Sequence, residues 1–210
     1  MKPVGLMGGT FDPPHNAHLR LAEEAREALG LDHVRWIPSG QPGHRDAPST
    51  PAEHRLEMVK LAIAGNAAFA LDDAEARAPR PTFTIDTLAR LRAELGADVP
   101  LVMIIGMDSL LTLPTWRESA RLVEGLHFAA GSRPGFDEGA IAPALRARMR
   151  GPEALSAAPG GAIVRFETTP LAISASLIRA RVAAGRTARY LLPPEVLHYI
   201  GLHGLYRAPT

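Results

Sequence analysis

The run Pro100-Leu101-Val102-Met103-Ile104-Ile105-Gly106 has no polar residue on either of the two faces a strand would present. Such a strand has to be covered on both sides, which is the condition of a parallel sheet clothed by helices. The rest of the chain alternates in the same way. Short apolar runs at Pro3–Met7 (ended by Gly8-Gly9), His33–Ile37, Phe69–Leu71, Leu126–Ala130 and Ala162–Phe166 read as strands. Helical spacing falls between them. Ala17–Leu29 aligns Leu21, Ala25, Ala28 and Leu29, and Ala52–Gly65 carries Leu56, Val59, Leu61 and Ile63. Thr84–Leu95 aligns Ile85, Leu88, Leu91 and Leu95, and Ser174–Ala184 turns Leu177, Ile178 and Val182 inward. Pro193-Pro194 introduces a last helix through Leu202. The expectation is one domain over 1–210: a Rossmann-like, doubly wound parallel α/β sheet with helices on both faces and a small helical portion at the C-terminus.

Composition narrows the chemistry. At 210 residues, 46% apolar and 21% charged, the chain can bury a core without staples, and zero cysteines exclude disulfides, thiolate metal sites and cysteine nucleophiles. A formal charge of +1 supplies no field that would draw nucleic acid or a membrane, and no apolar run is long enough to span a bilayer. A cytoplasmic protein is expected. Lys2 and Lys60 are the only lysines, and neither follows a glycine-rich phosphate loop, so any phosphate must be held by arginine, histidine and backbone amides. Pro38–Pro51 has four prolines and two glycines in 14 residues and is a loop; Gly135–Gly161 reads as a surface excursion containing a helix.

In a doubly wound sheet, ligands sit beyond the carboxyl ends of the strands, so the first turn is the place to look. Gly8-Gly9-Thr10-Phe11-Asp12-Pro13-Pro14-His15-Asn16-Ala17-His18 joins the first strand to the first helix. Two glycines let a backbone approach a ligand closely, and a helix N-terminus beside them favours anionic oxygen. His15 and His18, three apart, share a helical face and can donate to phosphate. Taken piece by piece the same residues also read as a metal pair or a solvated helix start, and phosphate binding is only slightly ahead.

As a whole string, G-G-T-F-D-P-x-H-x-x-H resembles the signature of the HxGH nucleotidyltransferase superfamily, and within it most resembles the nicotinate-nucleotide adenylyltransferases. Ala17 stands where the family has glycine between the histidines. The likeness runs nearly end to end. Ile37-Pro38-Ser39-Gly40-Gln41-Pro42-Gly43-His44-Arg45 is similar to the family's I-P-x-x-x-P-P-H-[KR] loop, with Gly43 for the second proline. Pro81–Thr87 resembles the S-Y-T stretch before a helix, Leu113-Pro114-Thr115-Trp116 the family's P-T-W, and Ile173–Arg179 the superfamily's I-S-[AS]-[ST]-x-I-R.

The resemblance implies adenylyl transfer from ATP to nicotinate mononucleotide, with Mg²⁺ carried by the ATP phosphates. It implies His18, His15 and Arg179 as catalytic residues. ATP would be held by Gly8, Gly9, Thr10, Phe11, His15, His18, Gly106, Asp108, Ser174, Ser176 and Arg179. The acceptor would be held by Ser39, His44, Arg45, Thr84, Trp116 and Arg133. Read from the residues alone, each outlying position keeps a plainer role. Thr84 and Ser174 suit helix caps, Asp108 suits a ribose or metal ligand or a cap, Trp116 suits ring stacking or core filling, and His44-Arg45 suit a solvated basic loop. An adenylyltransferase with another acceptor, phosphopantetheine or nicotinamide mononucleotide, and a nucleotide-binding regulator without catalysis are the rivals. No motif speaks to oligomeric state.

Overall fold

The computed structural model describes residues 1–41, 50–132 and 138–208. Six strands, β1 Val4–Gly9, β2 Val34–Pro38, β3 Phe69–Leu71, β4 Leu101–Gly106, β5 His127–Ser132 and β6 Ile163–Glu167, form one all-parallel sheet in the order β3-β2-β1-β4-β5-β6. This is the Rossmann-like order, and its direction of winding reverses between β1 and β4. The major crossovers are α1 Asn16–Ala28, α2 Ala52–Ile63 and α3 Thr84–Leu95. Shorter helices follow: α4 Met107–Thr112, α5 Ser119–Gly125, α6 Pro143–Arg146 and α7 Ala154–Ala157. The C-terminal helices are α8 Ala175–Ala183 and α9 Pro194–Leu202.

The apolar run in β4 divides its side chains between two layers. Leu101, Met103 and Ile105 enter one core with Leu88 and Leu91 of α3 and Leu122 of α5. Val102 and Ile104 enter the other with Ala22 and Ala25 of α1 and Val59 of α2. Burying each such side chain is worth about 1.5–3 kcal/mol, so a polar substitution anywhere in β4 has no tolerant face. A third cluster, Met58, Ile178, Ala188, Leu192, Val196 and Ile200, packs α8 and α9 against α2.

Four expectations are corrected. Gly8-Gly9 does not end β1: Gly8 pairs with Ile37 and Gly9 with Pro38, because register depends on backbone and a missing Cβ does not interrupt it. In α1 the buried stripe is Ala22, Ala25 and Leu29, while Ala28, about 100° around the helix from Leu29, faces solvent. In α8 only Ile178 is buried; Leu177, one position earlier, is 41% exposed, since this nine-residue helix has one contact stripe. Residues 138–161 are not a peripheral excursion. Ile141 and, on the short helices, Leu145 and Leu155 are buried in the two main cores.

Candidate active site

The turn after β1 is shaped by packing. Phe11 adopts a positive φ of 51° and is 2% exposed; its ring meets Trp36 at 5.3 Å and His18 edge-on at 5.2 Å. The two glycines have different reasons to lack a side chain. A Cβ on Gly9 would press on the Phe11 ring at 3.0 Å, whereas a Cβ on Gly8 would meet no protein atom within 4 Å. Open space in front of Gly8 is where a ligand could approach the strand end.

His15 sits in extended conformation (φ −150°, ψ 170°) at the N-cap of α1 and is 4% exposed. Its ring stacks on His18, with centroids 3.7 Å apart and planes 17° from parallel. The His15 backbone N–H donates to Nδ1 of His18 at 3.3 Å. An accepting Nδ1 assigns the proton of the neutral ring to Nε2, leaving His18 an Nε2–H donor. Burial pushes the His15 imidazole down to about 4. Burial, with the neighbouring His15, pushes His18 down to about 3. Both rings are therefore neutral donors at physiological pH, and charging either one requires a nearby anion.

Among the described residues three buried side-chain atoms have no hydrogen-bond partner: His15 Nδ1, Trp36 Nε1 and Ser39 Oγ. Such an atom costs about 1–3 kcal/mol. Two of the three belong to the loops that leave β1 and β2 side by side, where Ser39 N donates to the Gly9 carbonyl at 2.9 Å.

One residue here escaped sequence reasoning. Arg55, 1% exposed in α2, donates to the carbonyls of Thr10 (2.7 Å), Ser39 (2.6 Å), Gly40 (2.6 Å) and Thr50 (3.1 Å). Its guanidinium ties the loop after β1 to the loop after β2, and burial lowers its pKa while Asp12 and Tyr206 oppose that shift. The only sequence signal was phase: Arg55 lies three before Met58 and four before Val59, on the buried face.

The C-terminal corner meets the N-terminal one. Ser174 caps α8, its Oγ accepting from Leu177 N at 3.2 Å and lying 3.0 Å from Ser176 Oγ. Arg179, one turn in, donates through Nη1 to the Asp12 carbonyl at 2.7 Å. Asn16 N in turn donates to Leu191 O at 3.0 Å, so the start of α1 is seated on the C-terminal part. Two stretches far apart in sequence thus meet at the turn after β1.

The remaining candidates lie along the same carboxyl edge, on the β4 side. Gly106 precedes α4 and pairs with Gly131, and Asp108 is exposed in the first turn of that helix. Thr84 does not cap α3. Phe83 holds that position, and the Asp86 carboxylate accepts from Phe83 N at 3.0 Å, an oxygen supplied from inside the helix. Trp116 is half-buried against the core, meeting Phe128 edge-on at 6.3 Å. Arg117 stacks over Phe83 at 4.7 Å. Among the described residues no hydrogen bond or ring contact joins Thr84, Asp108 or Trp116 to the histidine pair. His44, Arg45 and Arg133 lie outside the described residues. No helix among the described residues is long and apolar enough to cross a membrane.

A Rossmann-like sheet with a stacked pair of neutral histidines in the turn after β1, beside its reversal point, is an arrangement suited to a nucleotidyltransferase. The chain is 48% identical to the "Probable nicotinate-nucleotide adenylyltransferase" of Dechloromonas aromatica over 98% of each chain. It is 44% identical to the protein of the same name from Pseudomonas fluorescens, over 100% of this chain and 99% of the relative. In structure it is similar to Plasmodium falciparum nicotinic acid mononucleotide adenylyltransferase complexed with NaAD, at TM-score 0.76, 20% identity and 98% of each chain. The chain belongs to the cytidylyltransferase-like family, whose model matches residues 6–181, and within it to the nicotinate-nucleotide adenylyltransferases.

Proposed function

We propose that the protein, acting as one domain over 1–210 in the cytoplasm, transfers the adenylyl group of ATP to nicotinate mononucleotide. The products are nicotinate adenine dinucleotide and pyrophosphate. A phosphate oxygen of the acceptor attacks the α-phosphorus in line, the bond to the β-phosphate oxygen breaks, and pyrophosphate leaves with the electron pair. No protein nucleophile is required, so catalysis consists of alignment and charge stabilisation.

The observation that carries the reading is the stacked pair with its buried, unpartnered His15 Nδ1. In this reading His18 Nε2–H donates to the α-phosphate, and its donation strengthens as charge builds in the transition state. His15 and the free donors of Arg179 take the β- and γ-phosphates, with Gly8, Gly9, Thr10, Phe11, Ser174 and Ser176 lining the same site. Gly106 and Asp108 serve the nucleoside of ATP. Ser39, Thr84, Trp116 and, beyond the described residues, His44, Arg45 and Arg133 serve the acceptor. In this reading Mg²⁺ is carried by the ATP phosphates.

The test is pyrophosphate release by purified protein with ATP and Mg²⁺, each acceptor being supplied in turn. Release is expected with nicotinate mononucleotide and not with nicotinamide mononucleotide or phosphopantetheine. Silence with every acceptor overturns the proposal.

A further inference from the structure

The turn that carries Asp12 is also held from a direction neither family motif covers. Beyond α9 the chain reverses at Gly204 (φ 62°) and Tyr206 takes a positive φ of 64°. For a bulky residue that conformation costs of order 1–3 kcal/mol and persists only where its surroundings require it. The surroundings are specific. The Tyr206 ring packs on the cluster formed by α2, α8 and α9, and its hydroxyl donates to Asp12 Oδ1 at 2.7 Å, spanning 194 residues of sequence. Asp12 is 5% exposed and its carbonyl simultaneously accepts from Arg179. Burial and the Asp12 carboxylate both raise the phenol's pKa, so Tyr206 stays a donor throughout the working range.

We infer that Tyr206 is a positioning residue for adenylyl transfer, fixing Asp12 and through it the Phe11–His18 contact that aims the histidine pair. The route is short. Asp12 follows Phe11 directly, the Phe11 ring lies edge-on to His18, and His18 stacks on His15. Losing the phenol's bond removes the Tyr206 hold on the Asp12 carboxylate while Arg55 and Arg179 still hold the backbone of this turn, and an error of about 1 Å in a near-attack geometry is worth roughly a hundredfold in rate. Residue 206 lies outside the 6–181 span that the family model matches, so this support comes from a part of the chain the shared motifs do not describe. The inference rests on the reading that the histidines act on the α-phosphate.

The experiment compares Tyr206→Phe, Asp12→Ala, the double variant, Asp12→Asn and His18→Ala in steady-state kinetics with ATP and nicotinate mononucleotide. Tyr206→Phe keeps the ring and its packing. It is expected to lower kcat about tenfold with both KM values within twofold of wild type. In the Asp12→Ala background it should lower kcat no further, and Asp12→Asn, which keeps an oxygen for the phenol, should recover part of the turnover. Wild-type kcat in Tyr206→Phe, or losses that multiply in the double variant, overturns the inference. Full turnover in His18→Ala removes the underlying reading. Loss there with full turnover in Tyr206→Phe removes this inference alone.

Discussion

His127 and His15 occupy opposite edges of the same sheet and are both almost fully buried, yet they are treated differently. At the amino edge, His127 has both ring nitrogens engaged, Nε2 with the Ala158 carbonyl at 2.8 Å and Nδ1 with Ala162 N at 3.1 Å. At the carboxyl edge, His15 Nδ1 has no partner. The arginines of the two edges are alike. Arg92 grips the carbonyls of Val99, Gly125 and Pro159, just ahead of β4, β5 and β6, much as Arg55 grips those after β1 and β2. The amino edge is a closed network whose members satisfy one another. The carboxyl edge has equally rigid supports, but they hold up groups left unsatisfied, and that difference separates scaffold from site.

The comparison can be broken most directly with His18→Ala. Turnover in pyrophosphate release should fall at least a hundredfold, the scale of a lost oxyanion donor, while the melting temperature stays within a few degrees. His127→Ala should do the reverse, lowering the melting temperature by several degrees and leaving kcat at 25 °C within twofold. A catalytic loss in the second variant would erase the distinction between the edges.

The arginines sharpen it. Arg55→Lys keeps the charge but cannot reach four carbonyls, so thermal stability and kcat should both drop, kcat by about tenfold. Arg92→Lys should cost stability alone, as read from a melting curve beside an activity assay.

The comparison also bears on the pH dependence of stability. His15 and His18 are lowered by burial to about 4 and about 3 in the folded protein, from the ordinary imidazole value of 6.5. Below pH 6.5 the unfolded chain takes up protons that the folded site refuses, so stability present above pH 6.5 is lost as pH falls toward 4. Urea midpoints at pH 7 and pH 5 should show this loss. His18→Ala should shallow it by up to about 1.4 kcal/mol per pH unit.

The sheet was legible because β4 has no polar face and the helical periods fall between apolar runs. That the turn of His15 and His18 lies close to Arg179 was legible only through the resemblance, which assigns all three to one ATP, since no local pattern announces a contact between residues so far apart. Arg55 was hidden by its type: an arginine in a helix reads as solvent-facing until its phase is checked against Met58 and Val59. Tyr206 left no signal at all, because its one decisive bond is to a residue at the other end of the chain. Thr84 misled for a different reason. A threonine before an apolar period looks like a cap, but Asp86 supplies the capping oxygen from the third helical position.

The strand order has a consequence for how the molecule assembles. β1 meets β2 after a short detour, Leu6 beside Arg35, but meets β4 only once Leu6 finds Met103. Closing the second loop costs more chain entropy, so the β1–β2 unit is favoured to form ahead of the β1–β4 seam. A folding experiment that follows these two pairings separately would see the site arise where an early half of the sheet and a late half are stitched together.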